Sequence, residues 1–90
     1  IITVNELVVN PNPASDYVVW GTQLPQGGMV SVRLISSNGA VVKKTTEKAV
    51  SGFNSFRMNG LQQLPGGVYV LEISSNGLTR KSKILLTRSM

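Results

Sequence analysis

The chain has 90 residues, 41% of them apolar, with 9 Gly, 4 Pro and neither Cys nor His, a composition that fits one small domain around one core. Disulfide frameworks, Cys or His metal sites, cysteine nucleophiles and His-dependent triads are excluded. Of the formal net charge of +5, Arg80, Lys81, Lys83 and Arg88 place +4 in the last thirteen residues, which hold no acid; the other 77 carry five bases against Glu6, Asp16, Glu47 and Glu72.

No apolar run reaches the roughly 18 residues of a membrane span, and the amino end lacks the basic, apolar and small-residue pattern of a signal peptide. The chain therefore reads as a piece of a longer precursor. The first predicted strand covers residues 2–9 and runs into Asn10, Pro11, Asn12, Pro13, Ala14, Ser15 and Asp16. Each proline lacks a donor and pushes the preceding Asn toward extended geometry. This segment is expected to be a stiff corner, with Ser15 and Asp16 hydrogen-bonding the turning backbone.

Alternating apolar residues bounded by Gly, Pro, Asn and Ser predict further strands at 17–22, 29–36, 40–46, 53–58, 68–74 and 78–87. In the third, Val30, Val32 and Leu34 share one face while Ser31 and Arg33 point the other way. Residues 40–51 lack Gly and Pro, but charges at 44, 47 and 48 stand where a helix needs its next apolar turn. The last segment reads either as a strand or as a basic amphipathic helix, because Ile84, Leu85 and Leu86 run together. As a strand, it is a solvated edge whose lysines discourage sheet-to-sheet pairing. Nucleic-acid binding is not expected, since the basic tail contains no Phe, Tyr or Trp.

Asn38 with Gly39 and Asn76 with Gly77 predict hairpin turns, and Asn59 with Gly60 an ordinary loop turn. The fold class is accordingly all-β, an immunoglobulin-like antiparallel β-sandwich of about seven strands, with a small open barrel as the alternative. The chain also echoes itself: Leu24, Pro25, Gln26, Gly27, Gly28 leads to Ile35, Ser36, Ser37, Asn38, Gly39, and Leu64, Pro65, Gly66, Gly67 leads to Ile73, Ser74, Ser75, Asn76, Gly77. Two copies do not make a solenoid. Duplication and repeated use of one turn chemistry both account for the echo.

Four scattered acids give no close pair for acid and base work, and no serine lies in a nucleophile elbow, P-loop or dinucleotide fingerprint. Neither glycine pair precedes a helix that would hold a phosphate. No catalytic residue, cofactor site or metal site is assigned, and the chain is expected not to be an enzyme.

The order of motifs resembles the C-terminal sorting domains of the type IX secretion system of Bacteroidetes. The resemblance runs from about Val8 to Arg88. It begins with the Asn10 to Asp16 segment, continues through Val32, Arg33, Leu34, Ile35, then Asn38, Gly39, Val41 and Val42, and passes Gly52, Phe53, Asn54. It ends in Leu64, Gly67, Val68, Tyr69, Val70 and the closing strand from Lys83 to Leu86. Ser37 stands where an Asp is usual, and Ser89 and Met90 extend past the expected basic end.

The resemblance implies a secretion address for a covalently linked upstream passenger. It implies recognition at the outer membrane by the translocon and shuttle proteins, and removal by a sortase-like cysteine peptidase that anchors the passenger at the cell surface. The localisation implied is the periplasm in transit, then the outer membrane or surface, with the domain released on processing. Candidate recognition residues are Pro11, Asn12, Pro13, Asp16, Gly67, Tyr69, Lys81 and Lys83. The alternative is a spacer or carbohydrate-binding module of a secreted hydrolase, for which Trp20, Tyr17, Tyr69, Phe53 and Phe56 are the only aromatic platforms, each equally explained by core packing.

Overall fold

Period-two alternation buries one face of each strand, and two such faces close on each other. A computed structural model describes residues 7–11 and 13–88. Its strands are β1 (Val8–Asn10), β2 (Val18–Leu24), β3 (Gly28–Ser36), β4 (Val41–Ala49), β5 (Gly52–Met58), β6 (Gly67–Ser75) and β7 (Leu78–Leu86). They form a three-stranded sheet in the order β1-β2-β5 and a four-stranded sheet in the order β4-β3-β6-β7, every paired neighbour antiparallel. This is the expected antiparallel sandwich in an immunoglobulin-like layout, and two separate sheets replace the barrel alternative.

Val18, Trp20 and Leu24 of the smaller sheet and Val30, Val32, Leu34, Leu71, Ile73, Ile84 and Leu86 of the larger form the buried core. Trp20, 1% exposed, has its ring centroid 5.0 Å from that of Phe56. It is a core residue.

Several boundaries differ from expectation. The fourth strand continues to Ala49 because Glu47, Lys48 and Ala49 pair with Val30, Met29 and Gly28, so the hairpin register carries it past residue 46. Val42 is the extra residue of a bulge, since Leu34 faces Lys43 and Ile35 faces Val41. The carboxyl-terminal segment is a strand throughout Leu78–Leu86, each residue paired with β6, and the helical alternative is discarded. Of the first predicted strand, residues 2–6 lie outside the described residues. The loop after β5 contains a 3-10 turn, Leu61–Gln63, that alternation does not reveal.

The two hairpins use Asn-Gly differently. Asn76 (φ 50°) and Gly77 (φ 80°) are the whole loop between paired Ser75 and Leu78, the two positive φ angles of a type I′ turn. At the other end Gly39 alone is left-handed, its N–H donating to Ser36 O at 2.9 Å. Asn38 acts there through its side chain, accepting from the Ala40 N–H at 3.3 Å. Both expected hairpins form, the second as a two-residue loop and the first as a longer one.

The crossover from β4 to β5 rests on Asn54. Its amide oxygen accepts from the Val50 N–H at 3.0 Å, and its nitrogen donates to the carbonyls of Val50 at 2.8 Å and Gly52 at 3.1 Å. Gly52 sits at φ 101°, a conformation that suits glycine. Thus Gly52, Phe53, Asn54 is a turn device: glycine bends the chain and the buried Asn side chain replaces the missing backbone partners.

Candidate functional site

The corner and the chain's last strand, about 70 positions apart in sequence, meet in space. Ala14, 1% exposed, forms a parallel bridge with Leu86: its N–H donates to Leu85 O at 2.7 Å, and the Thr87 N–H donates to its carbonyl at 2.8 Å. Pro11 and Pro13 stay exposed beside this bridge, and the Asn10–Pro11 peptide bond is cis. Asn12 lies outside the described residues. Gly67 and Tyr69 pair with Leu86 and Ile84 on the same end of β7. Pro13, Asp16, Gly67, Tyr69 and Lys83 therefore belong to one end of the molecule, and Lys81 lies two residues further along β7.

The corner is held differently from expectation. The Ser15 hydroxyl donates to the Asp16 carboxylate at 3.0 Å, and the main chain here offers acceptors. Asp16 O takes the Leu61 N–H at 2.9 Å, and Ser15 O takes Arg88 Nη1 at 3.0 Å. The same Arg88 guanidinium donates to Leu64 O at 2.8 Å, to Thr87 O at 2.7 Å and to Leu61 O. Its planar fork of donors fits this set of carbonyls in a way a lysine ammonium does not.

Tyr69 is 5% exposed, and its hydroxyl donates to Pro65 O at 2.7 Å, four residues upstream. That is the geometry of a tyrosine corner. The Gly-x-Tyr pattern thereby acquires a structural cause, a phenol pinning the loop that enters β6.

Strand alternation divides the basic tail. Arg80, Ser82, Ile84 and Leu86 point to the core side, and Arg80 reaches the other sheet, donating to Thr22 Oγ1 at 2.7 Å and to Gln23 O. Lys81, Lys83 and Leu85 are exposed on the opposite side. Arg80 and Arg88 are braces that a count of tail charges treats as solvated, and parity along β7 would have separated Arg80 from Lys81.

Arg33, Glu72 and Lys81 lie side by side across β3, β6 and β7. Arg33 Nε donates to Glu72 Oε1 at 2.8 Å, Nη2 to the same oxygen, and Lys81 Nζ lies 3.7 Å from Oε2. Glu72 is only 7% exposed. Its hydrogen bond from Arg33, reinforced by the charges of Arg33 and Lys81, outweighs burial and holds the carboxyl below its ordinary value. A lowered folded pKa contributes stability that is complete above the unfolded value, near 4.5, and is lost as pH falls through the folded one. Thermal unfolding from pH 7 to 3 should therefore fall more steeply for the parent chain than for Glu72→Gln below about pH 4.5. At pH 7 that substitution should cost about 1.5 kcal/mol; parallel pH profiles would show the carboxyl to be uncoupled from folding.

The described residues also line shallow clefts. One, of about 250 Å³, lies between residues 36–38 and 65–69; another, of about 180 Å³, between residues 24–26 and 75–78. In each, the Leu-Pro turn of one echoed segment faces the Ser-Asn hairpin of the other. No charged side chain lines either. Equivalent positions of the echo fall on opposite faces: Ile73 is in the core, whereas Ile35 pairs with Val70 on the outer side. Among the aromatics, Trp20 and Tyr69 are buried, but Phe53 is 62% exposed, its ring over Gly21, so core packing does not account for it.

Residues 8–87 match the profile of the secretion system C-terminal sorting domain. The chain belongs to that family. A sorting domain of this family is a C-terminal signal for type IX secretion, implies a Bacteroidetes source, interacts with the type IX machinery and marks an exported protein. No curated protein matches the chain. No helix among the described residues is long and apolar enough to cross a membrane.

Proposed function

We propose that residues 1–90 act as one non-catalytic address, read at the outer membrane by the translocon and its shuttle proteins while the upstream passenger is still attached. The observation that carries this reading is the bridge between Ala14 and Leu86, which joins the first and last motifs of the sorting domain into one surface. The exposed parts of that surface, Pro11, Pro13, Asp16, Lys81 and Lys83, are the residues read, together with Asn12. Gly67 and Tyr69 shape the end of β6 against which the terminal strand lies. A sortase-like cysteine peptidase then cuts upstream of the domain and joins the passenger to the cell surface, so the domain passes through the periplasm and is released on processing.

The test is a fusion of these residues, with their native upstream linker, to the carboxyl end of a reporter exported to the periplasm of a type IX-competent bacterium. The expected result is reporter at the cell surface without the domain attached. A reporter that stays periplasmic, while an established family signal exports it, would overturn the reading. The carbohydrate-binding alternative loses its strongest platform with Trp20 in the core and is left with the exposed ring of Phe53.

A further inference from the structure

The charges of the four-stranded sheet lie unevenly on its two faces. Directly opposed residues of antiparallel strands share a face, so the register defines the outer side row by row. Lys44, Arg33, Glu72 and Lys81 form one row across all four strands. Val41, Ile35, Val70 and Lys83 form the next in the direction of residues 36–40. Beyond it Val68 faces Leu85, and at the opposite end Lys48 faces Met29. Among the described residues this face thus holds five bases, Arg33, Lys44, Lys48, Lys81 and Lys83, against Glu72 alone, a net +4.

Its far end is apolar. Val41 is 46% exposed, Val68 46% and Leu85 43%, with Ile35 and Val70 half-buried between them. A contiguous aliphatic patch rimmed by charge marks an interaction surface more than a solvated sheet face does. The core side of the same sheet is occupied by the β1-β2-β5 sheet, so the outer side is the one available to a partner.

We propose that this outer face is the docking surface of the domain, and that its occupant is an acidic protein surface with an aliphatic centre, belonging to the type IX machinery. The inference rests on the address reading above and adds which face is read and what chemistry reads it. The charge balance selects an acidic occupant. The aliphatic patch selects one with an apolar centre. A lipid surface is disfavoured because none of the five aromatic side chains that anchor proteins at membrane interfaces lies on this face. Docking here reads β4 as well as the chain end, which separates this proposal from recognition of the terminal strand alone.

The test uses the reporter fusion with five sets of substitutions. Lys44→Gln with Lys48→Gln removes two charges from β4. Val41→Thr, Val68→Thr with Leu85→Thr removes the aliphatic patch while keeping strand-forming or small polar side chains. Lys43→Gln with Arg57→Gln removes the same charge elsewhere. The first two should lower surface display by at least about tenfold with the purified domains still unfolding cooperatively near the parent temperature, and the third should leave display unchanged. Lys44→Arg with Lys48→Arg should restore it, which a folding defect at these positions would not explain. If the parent fusion is displayed and the β4 pair is displayed equally well, the face is not the docking surface and the address reading stands. If display is lost only with Lys81→Gln and Lys83→Gln, the terminal strand alone is read and this proposal fails. Salt-sensitive binding of the purified chain to phosphatidylethanolamine and phosphatidylglycerol vesicles, or to vesicles with lipopolysaccharide, abolished in the β4 pair, would replace the protein partner by a lipid one.

Discussion

Tyr69→Ala should lower folding stability by about 3–5 kcal/mol, as other large-to-small changes in cores do. The ring is 5% exposed, lies opposite Ile84 in register and neighbours fully buried Leu71 on the same face of β6. A domain of this length has roughly 5–14 kcal/mol to lose, so the midpoint of thermal unfolding should fall by on the order of 15–30 °C. Tyr69→Phe separates the ring from the hydroxyl. It removes only the hydrogen bond to Pro65 O at 2.7 Å, and because Pro65 is exposed water takes the vacated acceptor, which limits the cost to about 1 kcal/mol. A loss under 1 kcal/mol for Tyr69→Ala would show that the ring contributes little to the core. The contrast bears on function, because a Tyr69 variant that fails in secretion while unfolded says nothing about what the machinery reads.

The sandwich was legible because burial in a sheet has the period of the backbone itself. Val30, Val32 and Leu34 alternate with polar residues and are all fully buried, and nothing but the strand period is needed to see it. Asn76 with Gly77 was equally legible, since a two-residue hairpin demands two positive φ angles. Asn38 with Gly39 looks the same in sequence yet forms a different loop, because the choice depends on where the strands first pair and the turn residues alone do not determine it. The extension of β4 to Ala49 follows from pairing with β3 for the same reason.

Long-range polar partners were not legible. Arg80 and Arg88 are indistinguishable in composition from Lys81 and Lys83, but the two arginines are committed to carbonyls and a buried threonine of distant segments, and Lys81 reaches Glu72 on the neighbouring strand. Arg33 with Glu72 is hidden similarly: 39 positions separate them, and only the antiparallel pairing of β3 with β6 makes them neighbours. Of the candidate recognition residues, the sequence placed Pro11 and Pro13 at a corner, but it could not show that the corner would be clamped to Leu86. Periodicity assigns faces, whereas contacts between non-adjacent segments require the three-dimensional register.

Deleting residues 83–90 should abolish cooperative folding. The deletion removes Ile84 and Leu86, each 1% exposed, and losing two buried aliphatics of this size costs on the order of 4–10 kcal/mol. It also leaves Gly67, Val68, Tyr69 and Val70 without the strand they pair with, and frees Ala14 from its bridge. Together these losses match or exceed the whole stability of a 90-residue domain, about 5–14 kcal/mol. Circular dichroism should show the β spectrum gone, and heating should give no transition; a truncated chain that still melts sharply would mean that β7 beyond Ser82 is dispensable. Arg88→Ala isolates one part of this effect. It removes hydrogen bonds to the carbonyls of Ser15, Leu61, Leu64 and Thr87, but Arg88 is itself exposed and water replaces much of what it gives, so the expected cost is about 1–2 kcal/mol. Arg88→Lys should behave like the alanine variant, because an ammonium keeps the charge but not the fork that spans those carbonyls. Truncations of the carboxyl end therefore destroy the fold along with any recognition signal, and only exposed positions such as Lys44, Lys48, Lys81 and Lys83 can tell the two apart.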